Sequence, residues 1–212
     1  MRVVPVDRFV KYITPQAENC PEFVVRREVI ATIADMCRET GCITAETCFT
    51  AKPDFMEHLI PMADGLNVEL VRHAYCDGHE LMSARLDELA TAMRGTDWFE
   101  KGGAPLYYTF KRKNLLRLIP RPAEDAFVRC DVLVSIDRDA KQVPEQFFED
   151  YLDTVVAGAL SRIFRIAGQT YSNMQLAERN LMAYQQGLVA IKSEAMRDFT
   201  RAAGKVKFNR IV

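Results

Sequence analysis

Long apolar runs are missing from this chain. Its 212 residues contain no stretch approaching the roughly 20 consecutive apolar residues that cross a bilayer. The opening residues, MRVVPVDRFVKYITP, also lack the apolar centre and the small-residue cleavage pattern of a signal peptide. We therefore expect a protein that has no membrane span and is made in a cytoplasm, where its six cysteines stay reduced.

An excess of charge of either sign is also missing. Lysine and arginine number 28 against 29 aspartates and glutamates, so the formal net charge is −1. This balance argues against a general affinity for nucleic acid, and any electrostatic partner must be met by a local patch. With 49% hydrophobic and 27% charged residues, the composition is that of an ordinary globular protein.

Phosphate-binding and nucleophile motifs are missing as well. The chain has no G-x-G-x-x-G, no P-loop and no G-x-S-x-G, and Gly102-Gly103 is too short to cradle a phosphate. Only three histidines are present. From these absences we expect no enzyme and no cofactor.

One spacing could hold a metal. His73-x2-Cys76-x2-His79 supplies imidazole and thiol groups, which are zinc ligands. These residues straddle the Asp77-Gly78 turn, and residues three apart in a strand point to opposite faces. We therefore interpret them as a core cysteine and exposed histidines and predict no metal site, with a zinc-dependent enzyme as the weakest alternative.

Hydrophobic periodicity predicts an α+β protein. Three helices, near residues 21–40, 144–167 and 174–203, are expected to form a helical bundle, and a shorter helix is expected after Ser83. Short β-branched and aromatic runs predict an inserted antiparallel β-rich region at about 42–143, with a hairpin at Asp77-Gly78. Residues 1–203 would form a single domain, followed by an extended C-terminal tail at 204–212.

The hairpin at 106–121 is basic and aromatic, and it has two interpretations. It could contact a phosphate backbone and stack a base, or its charged turn could simply discourage edge-to-edge aggregation. We favour the second interpretation. The residues concerned are Tyr107, Tyr108, Lys111, Arg112, Lys113, Arg117 and Arg121.

The two C-terminal helices are patterned for packing. Small residues around Gly158 and Ala159 allow close approach of a neighbouring helix. The last helix carries a continuous apolar seam, and about thirty residues would extend roughly 45 Å, longer than the preceding helix can cover. We therefore expect part of the seam to pack against another subunit. The candidate subunit-packing residues are Gly158, Ala159, Leu181, Tyr184, Leu188 and Ile191.

The tail GKVKFNRIV alternates basic and apolar residues and contains no acid. Alternation of this kind suits an extended strand that is added to a partner's sheet or laid in a groove, although a frayed terminus would also fit. We favour docking. The candidate docking residues are Lys205, Val206, Lys207, Phe208, Arg210 and Ile211.

From about Pro21 to Ala203 the chain resembles the head-to-tail connector, or adaptor, proteins of tailed bacteriophages. The resemblance rests on RREVIATIADMCRETGC, SARLDELATAMRGTDWFEKGGAPLYYTF, LRLIPRP and, most specifically, VPEQFFEDYLDTVVAGALSRIFRIAGQTYSNMQLAERNLMAYQQGLVAIKSEAMR. Family members usually carry a tryptophan near the break between the last two helices, where this chain has Tyr171.

The resemblance implies a virion structural protein without enzymatic activity, located in the neck between capsid and tail. Such proteins form a homo-oligomeric ring, typically a dodecamer, beneath the portal protein. They contact the next tail or neck protein, allow double-stranded DNA to pass, and commonly embrace the portal with their C-terminal segments. The alternative from another class is a small intracellular nucleic-acid-binding module that uses the hairpin at 106–121.

Overall fold

The computed structural model describes residues 2–53, 55–92, 102–111 and 114–196, with the backbone only at 90–92. The helices are α1 (Asp7–Ile13), α2 (Glu22–Thr40), α3 (Leu86–Ala92), α4 (Gln146–Glu149), α5 (Leu152–Ile163) and α6 (Met174–Met196). The strands are β1 (Val3–Pro5), β2 (Thr44–Ala51), β3 (Glu57–Leu59), β4 (Leu66–Cys76), β5 (His79–Ser83), β6 (Gly102–Gly103), β7 (Tyr107–Lys111), β8 (Leu115–Ile119), β9 (Arg121–Pro122), β10 (Ala126–Ile136) and β11 (Gln142–Pro144).

A seven-stranded, nearly closed sheet dominates the fold. Its strand order is β2-β10-β4-β5-β7-β8-β3. The longest strands, β4 and β10, have 11 residues each and pair antiparallel as the third and second strands of that order. Strand β10 alternates as a half-buried strand should, with Val128, Cys130 and Val132 fully buried between more exposed residues. Helix α2 packs against this strand.

The hairpin predicted at Asp77-Gly78 is present between β4 and β5. Asp77 and Gly78 have φ angles of 48° and 84°. Positive φ at both central residues is the geometry of a type I′ turn, which matches the twist of an antiparallel pair. The register that results places Cys76 opposite His79.

Helix α2 is the central helix. It contacts α1, α5, α6 and β10, and its buried residues include Val25, Val29 and Ile33, on the predicted apolar stripe. It begins after Pro21 and ends at Gly41, whose φ is 62° and whose N–H bonds to the carbonyl of Cys37 at 2.9 Å. The glycine supplies the left-handed conformation that closes the helix.

The predicted helical bundle is wrong. The buried residues form one core that includes side chains from the helices and from the large sheet together, and the protein is a mixed α/β fold. The long strands β4 and β10 bury enough apolar surface to organise that core, so α2 packs on β10 as well as on other helices. The expected purely antiparallel pairing is wrong too, because β5 pairs parallel with β7 and β6 pairs parallel with β9.

The helix predicted at 144–167 is divided. Residues up to Pro144 belong to β11, which pairs with β1, and α4 and α5 are separated at Asp150 and Tyr151. The Tyr151 side chain is buried, and its hydroxyl accepts a hydrogen bond from Gln146 at 3.1 Å. The break between α4 and α5 therefore occurs where the Tyr151 ring is buried, and the spacing of apolar residues in the sequence does not predict it. None of the described helices is long and apolar enough to span a membrane.

Candidate interaction surfaces

The six candidate subunit-packing residues lie inside the chain. Five are buried, and Leu181 is partly buried against the same core. The seam of α6 faces α5 and α2, which both contact it. A second subunit was expected at this seam because the apolar stripe is longer than the preceding helix. Over residues 174–196, however, α5 and α2 already cover the seam. Residues 197–203, the end of the predicted helix, lie outside the described residues.

Two glycines set the distance between α5 and α6. A methyl group added at Gly158 would lie 2.4 Å from Thr32 Cγ2 and 2.8 Å from Tyr184 Cδ2. One added at Gly187 would lie 2.3 Å from Thr154 Oγ1. Real Cβ atoms do not approach other atoms this closely, so each glycine is a notch that a side chain of another helix fills. The small residue at 158 thus serves packing within the chain.

A second apolar stripe on α6 is exposed. Met182, Val189 and Met196 are 64%, 71% and 72% exposed. Each follows a residue of the buried seam by one position, so the stripe lies about 100° around the helix from that seam. Seven residues are nearly two turns, and the three side chains drift by only about 20° per step. Helix α6 therefore has one apolar face inside the chain and an apolar flank outside it.

Two basic residues of the hairpin share one carboxylate. Glu57 of β3 pairs with both Lys111 of β7 and Arg117 of β8. The Lys111 ammonium, and then the Arg117 guanidinium, lower the pKa of the Glu57 carboxyl. Because both cations are paired with this shared carboxylate, their electrostatic attraction for a phosphate is reduced.

The aromatic part of the hairpin is divided between the core and the surface. Tyr108 is 3% exposed and donates a hydrogen bond from its hydroxyl to the carbonyl of Val71 at 3.2 Å. Its ring cannot stack on a base. Tyr107 and Arg121 are partly buried, and residues 112–113 lie outside the described residues. Among the described residues of the hairpin, Tyr108 is therefore not available for stacking on a base.

The possible zinc ligands do not converge. Cys76 is buried, whereas His73 and His79 are exposed. His73 Nδ1 lies 3.0 Å from Glu80 Oε1, and its ring stacks on Tyr75. The side chains of β4 alternate between the two faces of the sheet, which separates the thiol from the imidazole. Within the described part of the chain no group of metal-ligating residues comes together.

A cavity of about 620 Å³ opens between α2 and the ends of β4 and β10. Its polar wall is a network of paired groups. The Ser135 hydroxyl donates to Glu69 Oε1 at 2.6 Å, and the Arg38 guanidinium reaches Glu69 at 3.8 Å and Asp35 at 3.1 Å. Arg162 of α5 also pairs with Asp35. These contacts tie the helices to the sheet, and they identify no reacting group.

The six tail residues named as docking candidates lie outside the described residues, so their role stays a prediction. The exposed flank of α6 was missed by sequence reasoning. A signal existed, because apolar residues recur seven apart at 182, 189 and 196. Comparison with models of known protein families gives no match, and comparison with curated proteins gives no match either.

Proposed function

We propose that this protein is a head-to-tail connector of a tailed bacteriophage. In this role it is a virion structural protein that forms a ring beneath the portal and joins the DNA-filled capsid to the tail. Function would come from assembly of many copies and not from catalysis. The motif resemblance in the chain motivates the proposal, and the exposed apolar flank of α6 is the observation that carries it.

The flank is suited to side-by-side packing of copies. Burying a methionine or valine side chain stabilises an association by about 1.5–3 kcal/mol, and Met182, Val189 and Met196 are each more than half exposed. Their spacing of seven residues forms a straight stripe, the pattern along which a second helix packs. We therefore place the contact between copies on this flank and not on the buried seam.

A ring also requires two different surfaces on each copy, because only a head-to-tail contact closes into a cycle. The flank would supply one of them. The other must be an exposed surface elsewhere on the chain, and the exposed Phe23 in the first turn of α2 and Phe127 on β10 are candidates. Each belongs to a different element from the flank, as a head-to-tail contact demands.

The tail would make the contact with the portal. The three basic side chains Lys205, Lys207 and Arg210 alternate with apolar residues, which suits an extended segment that pairs with a partner's backbone and fills alternate pockets. Near-neutral net charge fits a conduit, since each additional basic contact to phosphate adds affinity that would hold DNA in place.

The test measures native mass, by light scattering or native mass spectrometry, for the full chain alone and after mixing with portal rings. Removal of residues 204–212 is expected to abolish association with the portal. Replacing Met182, Val189 and Met196 with glutamine is expected to weaken ring formation on the portal by at least about tenfold. Glutamine keeps good helix propensity, so folding should be retained.

The matched control places glutamine at Ala183 and Ala190, which are exposed about 100° around α6 from the flank, opposite the buried seam. This variant should assemble as the parent does. Full portal binding by the shortened chain would contradict the tail assignment. Equal assembly of the flank variant and its control would contradict the flank assignment, and the absence of any complex of the parent chain with the portal would contradict the connector role.

A further inference from the structure

The two edges of the seven-stranded sheet meet side by side. Strands β2 and β3 are the first and last of its order, and the sheet is nearly closed. The ring centroids of Phe49 on β2 and His58 on β3 lie 6.0 Å apart, and the Thr47 hydroxyl donates a hydrogen bond to the Pro61 carbonyl at 2.8 Å. Residue numbers fall along one edge as they rise along the other, so the edges run antiparallel. We call this contact the β2–β3 junction.

The backbone groups of every second residue in β2 face this junction. The Val134 N–H donates to the Ile43 carbonyl at 3.1 Å, so Ile43 and each second residue after it bond to β10. The residues between them turn their N–H and C=O groups away from β10, towards the other edge of the sheet. They are Thr44, Glu46, Cys48 and Thr50.

Side chains, and not a backbone ladder, hold the junction together. Residues 44–51 and 56–62 are all described, and no backbone hydrogen bond joins the two segments. The neighbouring strands within the sheet are joined by such bonds. Opening the junction therefore breaks fewer hydrogen bonds than separating any of those pairs, and local opening occurs where few bonds must break.

His58 fills the junction on the buried face of the sheet. It is 8% exposed, and its Nε2 atom is buried without a hydrogen-bond partner. Leu116 lies opposite His58 in the register and is fully buried. A neutral imidazole is compatible with this place, whereas an imidazolium would bury a charged N–H group that has no acceptor. Burial accordingly lowers the pKa of His58.

Among the described residues, no charged side chain faces this imidazole from β2, β7 or β8. Successive residues of a strand alternate between faces, so the nearest acids and bases in the register point to the other face: Glu46, Glu57, Lys111 and Arg117. The residues on the face of His58 are Ala45, Thr47, Phe49, Ala51, Tyr108, Phe110, Leu116 and Leu118. Burial raises the pKa of Tyr108, and that of Cys130 behind Thr47, so both stay neutral. A proton on His58 therefore meets no compensating carboxylate on this face.

We propose that the β2–β3 junction is a pH-sensitive opening of the sheet, closed while His58 is neutral and released when the imidazole gains a proton and turns to solvent. The proposal rests on the contacts at the junction and does not depend on the connector role. The neutral imidazole stabilises the closed junction fully above the unburied pKa of about 6.5, and this stabilisation is lost as the pH falls towards the lower value of the closed state. Between pH 7 and pH 5 the open form gains at most about 25-fold.

A native cysteine reports the opening. Cys130 is fully buried and lies opposite Thr47 in the register, on the same face. The full chain carrying Cys48→Ser, which removes the exposed thiol, is treated with dithiodipyridine, a reagent that labels thiols in acid as well as at neutral pH. Peptide mass spectrometry gives the labelling rate of each cysteine, which is divided by the rate of the denatured chain at the same pH. We expect the rate for Cys130 to rise several-fold from pH 7 to pH 5. The rate for Cys37, which is buried in α2, should not follow it.

Three variants complete the test, and circular dichroism at pH 7 confirms that each is folded. His58→Gln and His58→Met remove the titrating group with a polar and an apolar replacement, so both should abolish the rise at Cys130. Thr47→Val removes the hydroxyl that bonds to Pro61 and keeps His58. Its Cys130 should be labelled about threefold or more faster at pH 7, with the same relative rise towards pH 5.

Three results would overturn the proposal. The first is labelling of Cys130 in the parent that does not rise from pH 7 to pH 5. The second is a rise that persists in a folded His58 variant, because the imidazole would then not be its cause. The third is labelling of Cys37 in step with Cys130, because the whole chain and not the junction would then be opening.

Discussion

The glycine at 187 provides the sharpest test of the packing between α5 and α6. The change Gly187→Ala adds one methyl group, which would lie 2.3 Å from Thr154 Oγ1, 2.6 Å from its Cγ2 and 3.0 Å from its Cβ. Rotation of the threonine cannot relieve all three contacts, because Cβ does not move with χ1. The helices must separate locally, or α6 must shift.

The expected magnitude combines two opposing effects. Overpacking of this kind costs about 1–3 kcal/mol, whereas alanine favours a helix over glycine by about 1 kcal/mol. We therefore expect Gly187→Ala to lower the free energy of unfolding by about 1 kcal/mol. The sign is informative, since an alanine in a helix without a steric conflict would raise it.

A second substitution separates the two effects. Thr154→Ala removes the two atoms nearest the added methyl group and leaves one contact of 3.0 Å. In that background Gly187→Ala should be close to neutral, which corresponds to a coupling energy of about 1 kcal/mol or more between the two sites. The control Gln186→Ala, at an exposed neighbour, should change stability by less than about 0.5 kcal/mol.

The assay is urea unfolding followed by far-ultraviolet circular dichroism, with one shared m-value. The reasoning is refuted if Gly187→Ala has the same effect with and without Thr154, or if it stabilises the parent protein. Either result would mean that α5 and α6 do not approach each other at this level.

Three further outcomes follow from single positions. Burial lowers the pKa of His58, so its contribution to stability is complete above the unfolded value of about 6.5 and is lost as the pH falls towards the folded value. His58→Gln should flatten the dependence of the urea midpoint on pH between about 7 and 5. The depressed pKa of Glu57 means that its stabilisation is present above about pH 4.3 and is lost as the pH falls through its lower folded value. Glu57→Gln should therefore be destabilising at neutral pH, with a difference from the parent that shrinks on acidification; a constant difference would show that the pairing with Lys111 is not the cause. Gly78→Ala should cost about 1 kcal/mol through its positive φ alone, because nothing lies within 4 Å of the added methyl group, and Gly78→Asn should cost less.

Local features of the fold followed from the sequence. The helix expected near residues 21–40 is present as α2, and the hairpin expected at Asp77-Gly78 is present as well. The buried seam of α6 was also readable, because Tyr184, Leu188 and others recur at helical spacing and are buried. Each of these features depends on residues within a few positions of one another, where conformational preference and periodicity act directly.

Features that depend on residues far apart in the chain could not be predicted from the sequence. The parallel pairing of β5 with β7 joins residues 82 and 107, and no local pattern specifies that neighbour. The sequence predicts a helical bundle because the predicted helices and strands lie in separate stretches of the chain. The core in fact joins them, since β10 carries α2 on part of its length. Helix α1 and the break between α4 and α5 at Tyr151 were not predicted either. The break coincides with burial of the Tyr151 side chain, which local sequence patterns do not show.

For the candidate site, the sequence identified the apolar seam of α6 as a packing surface but did not identify the second, exposed apolar stripe on the same helix. Apolar periodicity shows that a side chain will be covered, and it does not show by what. The tertiary structure places α2 and α5 over the seam of Leu188 and leaves Met182, Val189 and Met196 exposed. The sequence by itself determined where the main helices and the hairpin lie, because those depend on neighbours along the chain. Only the tertiary structure decided which apolar stripe of α6 is covered within the chain and which is exposed, because this depends on which surfaces the folded chain brings together.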